Sequence, residues 1–231
     1  MITPQPTTIP HMIAIVGGSG AGKGWMAARL CEFFGEQACH LSLDNFYRDR
    51  SHLPPARREQ VNFDVPRAID WDRTEQVLSD CLAGQATRVP RYDFTTHTRL
   101  TSTDPWQPTS LVFVEGLWLL RSPATRRLFS LKIYLDCPAS LRLRRRRARD
   151  VAERGRTAAA VERRFQQIAP LHERYVEPQK KWADVVLTQP FSESDLTRLA
   201  ESLWSLLRPD SSRFGTRPSF CADLLTLLGN R

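Results

Sequence analysis

The chain has 231 residues, of which 41% are hydrophobic and 25% charged, and its formal net charge is +8. This length and balance suit one well-buried α/β domain with small additions. No apolar run is long enough to span a bilayer, residues 1–10 lack a charged-then-apolar leader pattern, and the five scattered cysteines (Cys31, Cys39, Cys81, Cys137, Cys221) show no zinc-like pairing. A reduced, cytoplasmic protein is the expectation.

In chain order, residues 12–16, with the apolar run Ile13-Ala14-Ile15-Val16, read as a strand that enters Gly17-Gly18-Ser19-Gly20-Ala21-Gly22-Lys23-Gly24. The glycines let backbone N–H groups turn inward, the next helix presents its N-terminus, and Lys23 adds a point charge, so the pattern reads as a phosphate-binding loop. Ordinarily a Ser or Thr follows that lysine and places a hydroxyl on Mg²⁺; here the residue is Gly24. The plainer alternative is a flexible glycine turn with an incidental lysine. A dinucleotide fingerprint fits worse, because Lys23 stands where a third small residue belongs. Trp25, Ala28, Leu30 and Cys31 lie at helical spacing and predict the buried face of the helix, with Gly35 as its stop.

A second strand over 39–43 delivers Asp44, within Leu41-Ser42-Leu43-Asp44-Asn45-Phe46-Tyr47. The carboxyl ends of strands face the ligand crevice of an open parallel sheet, so Asp44 is predicted near Lys23, to accept a proton from an acceptor hydroxyl, to assist Mg²⁺, or both. A turn cap is the simpler alternative. After a helix over 71–83, residues 85–103 break the rhythm, and 88–93 with 99–103 read as an inserted hairpin. A third strand, over 111–114, ends at Glu115-Gly116. A carboxylate ending a buried apolar strand is costly without a cation or donors, which makes Glu115 a candidate Mg²⁺ ligand.

A strand over 131–136 precedes a helix over 139–153, on which Arg142, Arg145, Arg146 and Arg149 share a face. Gly155 permits a bend between Arg154 and Arg156. The arginines read as a phosphate-handling lid, a solvated face or a nucleic-acid surface, with the last ranked lowest. A helix over 157–167, a strand over 184–187 and a helix over 192–207 follow. For the last, Ser192 and Asp195 predict a capping box, and Leu196, Leu199, Ala200, Leu203, Leu206 and Leu207 an apolar stripe. Residues 209–231 form a tail without an assigned role. The alternation predicts an α/β fold: a P-loop NTPase-type parallel sheet with helices on both faces, one domain over 1–208, a hairpin at about 85–103 and an arginine lid at about 150–165.

Several stretches agree in order and spacing: Ser42-Leu43-Asp44-Asn45-Phe46-Tyr47, Asn62-Phe63-Asp64-x-Pro66, Tyr92-Asp93-Phe94-x-x-His97-x-Arg99, Glu115-Gly116, Arg149-Asp150-x-x-Glu153-Arg154-Gly155-Arg156 and Glu177-Pro178-x-Lys180-x-x-Ala183-Asp184. Through them the chain, from about Ile13 to Trp204, resembles the uridine–cytidine kinase branch of the phosphoribulokinase/uridine kinase family. The resemblance implies ATP as phosphate donor, Mg²⁺, a pyrimidine nucleoside as acceptor and a homo-oligomer. It implies that Asp44 is the catalytic acid that activates the 5′-hydroxyl and helps hold Mg²⁺. Asp64 would grip the ribose hydroxyls with Phe63 beside the base, Tyr92 and His97 would read the pyrimidine edge, and Tyr47 would lie at the substrate. Arg146 and Arg156 match substrate-binding positions; Arg149 and Arg154 match lid positions around the phosphates. Two positions depart: Gly24, expected to lower turnover, and Arg164, which stands where the family usually has a glutamine near the ribose. A kinase for another hydroxylated metabolite, such as a sugar phosphate, and a nucleotide-binding protein without turnover fit the same loop.

Overall fold

The computed structural model describes residues 10–58 and 60–207, apart from the side chains of Arg154, Leu206 and Leu207. Cys221 and the predicted tail over 209–231 lie outside the described residues. In chain order, β1 (His11–Gly17) leads into α1 (Lys23–Phe34), β2 (Ala38–Ser42), the short α2 (Pro55–Arg58) and α3 (Trp71–Leu82). β3 (Thr87–Asp93) and β4 (Thr98–Trp106) pair antiparallel as a separate hairpin. The chain then forms β5 (Leu111–Gly116), α4 (Pro123–Arg126), β6 (Leu131–Asp136), α5 (Ala139–Arg154), α6 (Ala158–Tyr175), β7 (Val185–Thr188) and α7 (Glu193–Leu207).

The main sheet runs β2-β5-β1-β6-β7, and its neighbours all pair in parallel. After β1 the chain moves to one side of that strand, and after β5 it crosses to the other. The reversal therefore lies beside β1, and the carboxyl ends of β1, β2 and β5 open onto one crevice.

Side-chain alternation divides the core into two layers. Met12, Ala14 and Val16 of β1, with Val112 and Val114 of β5, pack towards α3 through Val77, Leu78 and Cys81. Ile13, Ile15, Leu111, Phe113, Leu131 and Ile133 face the opposite way, towards α1 and α7. Burial on both faces explains why β1 and β5 read as unbroken apolar runs.

Every predicted strand is present, most with ends moved by a residue; β5 extends two residues further to include Glu115 and Gly116, and β4 runs three residues past the predicted end. The predicted buried face of α1 is corrected. Met26, Ala27, Leu30 and Phe34 are buried, Cys31 is half-buried, and Trp25 and Ala28 are exposed. The loop sets the rotation of α1 against β1, and that rotation turns Trp25 away from the core. α6 also continues through Pro170 to Tyr175. Proline forfeits one ladder bond, but Val161, Phe165 and Ile168 anchor the buried side of the helix. The capping box of α7 forms: the Ser192 N–H donates to Asp195 Oδ2 at 2.8 Å and the Asp195 N–H to Ser192 Oγ at 3.2 Å. Among the described residues, no helix is long and apolar enough to cross a membrane.

Candidate active site

The glycine loop closes tightly because α5 lies against it. Gly20 has φ +83°, and a Cβ there would collide with the Arg142 carbonyl oxygen, so both the conformation and the space demand glycine. Gly17 lies against the Leu135 carbonyl and the Ala21 N–H donates to the Gly18 carbonyl at 3.0 Å, while Ser19, Gly20, Gly22, Lys23 and Gly24 line a cavity of about 750 Å³. Lys23 is buried, and its Nζ donates to the Gly18 carbonyl at 3.3 Å. Burial pushes its pKa below the usual lysine range, while Glu115 and Asp44 oppose the shift by favouring the charged ammonium.

Strand register brings the two acids together. Ser42 of β2 pairs with Glu115 of β5, and the Ser42 hydroxyl donates to Glu115 Oε1 at 2.5 Å. The same Oγ accepts the N–H of Asp44 at 3.2 Å, which starts the single 3₁₀ turn that carries Asp44 off the strand end. Asp44 and Glu115 both line the cavity with Lys23. Ser42 was not singled out from the sequence; its signal is a serine two residues before the acid, at the last pleat of β2.

The far end of the cavity is aromatic. Tyr47, Phe63, Tyr92 and Phe94 form one cluster, with ring centroids 5.2 Å apart for Tyr47–Tyr92 and 5.6 Å for Tyr47–Phe63. His97, at the hairpin turn, adopts φ +56° and lies nearly parallel to Phe63, with centroids 4.8 Å apart at 17°. A left-handed non-glycine residue is uncommon, and its backbone aims the imidazole into this cluster. Burial pushes the Tyr92 phenol up to about 12, and its OH is buried with no hydrogen-bond partner among the described residues.

Asp64 sits at the junction between these two ends. Its Oδ2 lies 2.7 Å from Arg164 Nη2, and its Oδ1 lies 3.9 Å from Arg146 Nη1. Arg146 is 5% exposed, and its Nε and Nη1 make no hydrogen bond among the described groups. Buried donors whose ion pairs are too long for a hydrogen bond are costly in a finished core but serve a site that receives a ligand. Arg149, Arg156 and Arg164 line the same cavity, as does Arg145, whose Nη1 donates to Gln189 Oε1 at 3.2 Å. Arg142 shares their helix face but turns beneath the loop, where its Nε donates to the Cys137 carbonyl at 3.1 Å. Arg154 ends α5, and its side chain lies outside the described residues.

The sequence alone suggests no role for Asp150, and the structure makes it the central anion among these arginines. It is fully buried, and its Oδ1 lies 2.8 Å from Arg149 Nη2. Its Oδ2 lies 3.5 Å from both Arg146 Nε and Arg156 Nη1. Its backbone carbonyl accepts the N–H groups of Gly155 and Arg156, holding the bend that Gly155 makes at φ +60°.

A phosphate-binding loop at the sheet reversal, two strand-end acids beside its lysine and a set of arginines lining the same cavity define an α/β P-loop kinase. Residues 12–196 match the phosphoribulokinase / uridine kinase family, and the chain belongs to that family. It is 37% identical over 182 residues to the uridine kinase of Clostridium perfringens, covering 78% of this chain and 88% of that protein. The uridine kinase of Chloroflexus aurantiacus is likewise 37% identical, covering 78% of this chain and 87% of its own length. Among solved structures, phosphoribulokinase from Rhodobacter spheroides superposes with a TM-score of 0.58 at 20% identity, covering 78% of this chain and 70% of that one.

Proposed function

We propose that this protein transfers the γ-phosphoryl group of ATP to the 5′-hydroxyl of uridine or cytidine, in the cytoplasm. The observation that carries the reading is that Asp64 and the aromatic hairpin residues share one cavity with Lys23, Asp44 and Glu115. The loop amides and Lys23 hold the outer phosphates of the donor. Asp64 bridges the vicinal ribose hydroxyls, while Phe63, Tyr92 and His97 receive the base. Asp44 accepts the proton of the 5′-hydroxyl, and Arg149 neutralises charge that develops on the transferring group.

Asp44 and Glu115 are the residues that would hold Mg²⁺, which when bound neutralises phosphate oxygens. The fit is that of a hard cation: the acids are oxygen donors, and a Cβ at Gly24 would meet nothing within 4 Å, leaving room for a water where the hydroxyl usually stands.

A second reading has one observation in its favour. Arg164 already occupies Asp64, and a guanidinium at that end also suits an acceptor that carries its own anion, such as a sugar phosphate. A coupled assay across nucleosides and pentose phosphates separates the two. The first reading expects turnover of uridine or cytidine, and Asp64→Ala raises the nucleoside KM at least about tenfold, from the loss of charge-assisted hydrogen bonds. Turnover of a pentose phosphate alone would overturn it.

A further inference from the structure

We propose that Asp150 couples the two ends of the cavity, so that donor and acceptor each tighten the binding of the other. The inference rests on the division of the cavity into a phosphate end and a nucleoside end.

Asp150 is completely enclosed, which makes an unpaired carboxylate there untenable, and its two oxygens serve different ends. Oδ1 takes the fork of Arg149, with Nε at 2.9 Å and Nη2 at 2.8 Å. Oδ2 is shared at longer range between Arg146 and Arg156, each 3.5 Å away. Arg149 lines the cavity with Lys23 of the phosphate loop, on which its charge bears together with that of Arg142 from beneath the loop, and Arg146 is the one of the three partners that reaches towards Asp64. One carboxylate is therefore divided between Arg149, on the phosphate side, and Arg146, which reaches the acceptor-side Asp64, with Arg156 of the same cavity sharing Oδ2.

That division produces coupling by competition. When phosphate oxygens neutralise Arg149, the grip of Arg149 on Oδ1 weakens, and Asp150 is released towards Arg146 and Arg156. Those two guanidiniums, each 3.5 Å from Oδ2, are then drawn in and fixed where the acceptor meets them. Linkage makes the effect reciprocal: whatever the donor does for the acceptor, the acceptor does for the donor. Residue 150 also carries the hinge of the lid through its backbone carbonyl, so the same residue sets the side chains and the bend behind them.

The test is a binding cycle by calorimetry with uridine and the non-hydrolysable donor adenylyl imidodiphosphate, each alone and each in the presence of the other with Mg²⁺. The wild-type protein should bind uridine at least about fivefold tighter when the analogue is saturating. Asp150→Asn should bring that factor below about twofold, while binding the analogue alone no more weakly, because the site has lost a negative charge. A structural role alone predicts the reverse: both binary affinities fall and the factor survives. Arg149→Gln, which cuts the Oδ1 arm for good, should bind uridine alone more tightly than the wild type does and show no further gain from the analogue; it serves if Asp150→Asn does not fold. Equal uridine affinity with and without the analogue in the wild type, or coupling that persists in the folded variants, overturns the proposal. Failure of the wild type to bind either ligand removes the nucleoside reading itself, and this inference with it.

Discussion

At the scale of single residues, Gly24 is the sharpest departure and the simplest to test. A Cβ at Gly24 would meet no atom within 4 Å, so Gly24→Ser adds a hydroxyl without displacing anything. If that hydroxyl completes the metal shell, kcat for uridine with Mg-ATP should rise by about a hundredfold or more, in line with the loss of a transition-state contact elsewhere. The melting temperature should also rise modestly, because glycine is a poorer helix residue than serine by roughly 0.5 kcal/mol. Steady-state kinetics beside calorimetry separate the two effects; a higher melting temperature with unchanged kcat would confine the position to helix stability. Lys23, Asp44 and Glu115 were legible as single residues because each ends an apolar run or a glycine loop. Ser42 and Asp150 were not, because a serine hydroxyl between two acids and a carboxylate inside an arginine run acquire meaning only from strand register and burial.

At the scale of elements, the hairpin of β3 and β4 depends on Arg99. Its Nη1 pairs with Asp70 Oδ2 at 2.9 Å, at the N-cap of α3, and its Nη2 donates to the Phe46 and Tyr47 carbonyls at 3.3 and 2.9 Å. The Arg99 backbone N–H also donates to Asp49 at 3.1 Å, so one residue ties the hairpin to the segment that carries Asp44 and Tyr47. Arg99→Ala should cost about 1.5–3 kcal/mol in urea unfolding, the range for hydrogen bonds to a charged group. It should raise KM for uridine several-fold and leave KM for ATP within about twofold, because the arginine braces the hairpin and the Tyr47 backbone, which line the acceptor end, and among the described residues makes no hydrogen bond or ion pair with the phosphate loop. An equal rise in both constants would count against that assignment. The hairpin was visible in the sequence from its break in rhythm, though β4 proved longer than predicted. The rotation of α1 was misread, because Trp25 and Ala28 fit a helical stripe as well as Met26 and Ala27 do.

At the scale of the whole molecule, acid stability follows from two histidines. Burial holds His40 below the ordinary histidine pKa, and its Nε2 has no hydrogen-bond partner among the described residues. Burial also lowers His172, with Arg142 adding to the effect and Glu177 opposing it. Both are favoured as neutral rings in the fold, so below about pH 6.5 the unfolded chain binds more protons than the folded one. Their contribution is full above that pH and is lost as pH falls through the depressed folded values. Urea midpoints should be level above about pH 6.5 and decline below it, and His40→Leu should remove part of the decline. A midpoint unchanged down to pH 5 would show that neither ring titrates on unfolding. Carboxylates such as Asp70, held low by Arg99 against the opposing effect of burial, act in a separate, more acidic window.

The sequence by itself determined the alternation of strands and helices, the phosphate loop and the acids at strand ends. Those signals are local: a hydrophobic period, a glycine cluster, a charge where an apolar run stops. Only the tertiary structure decided that Ser42 bridges Glu115 to the Asp44 turn, that Arg142 supports the loop while Arg146 reaches Asp64, and that Asp150 holds three guanidiniums of the lid. The reason is geometric. Residues more than seventy positions apart become neighbours through sheet register, and arginines on one helical face part ways only when that face meets two different surfaces.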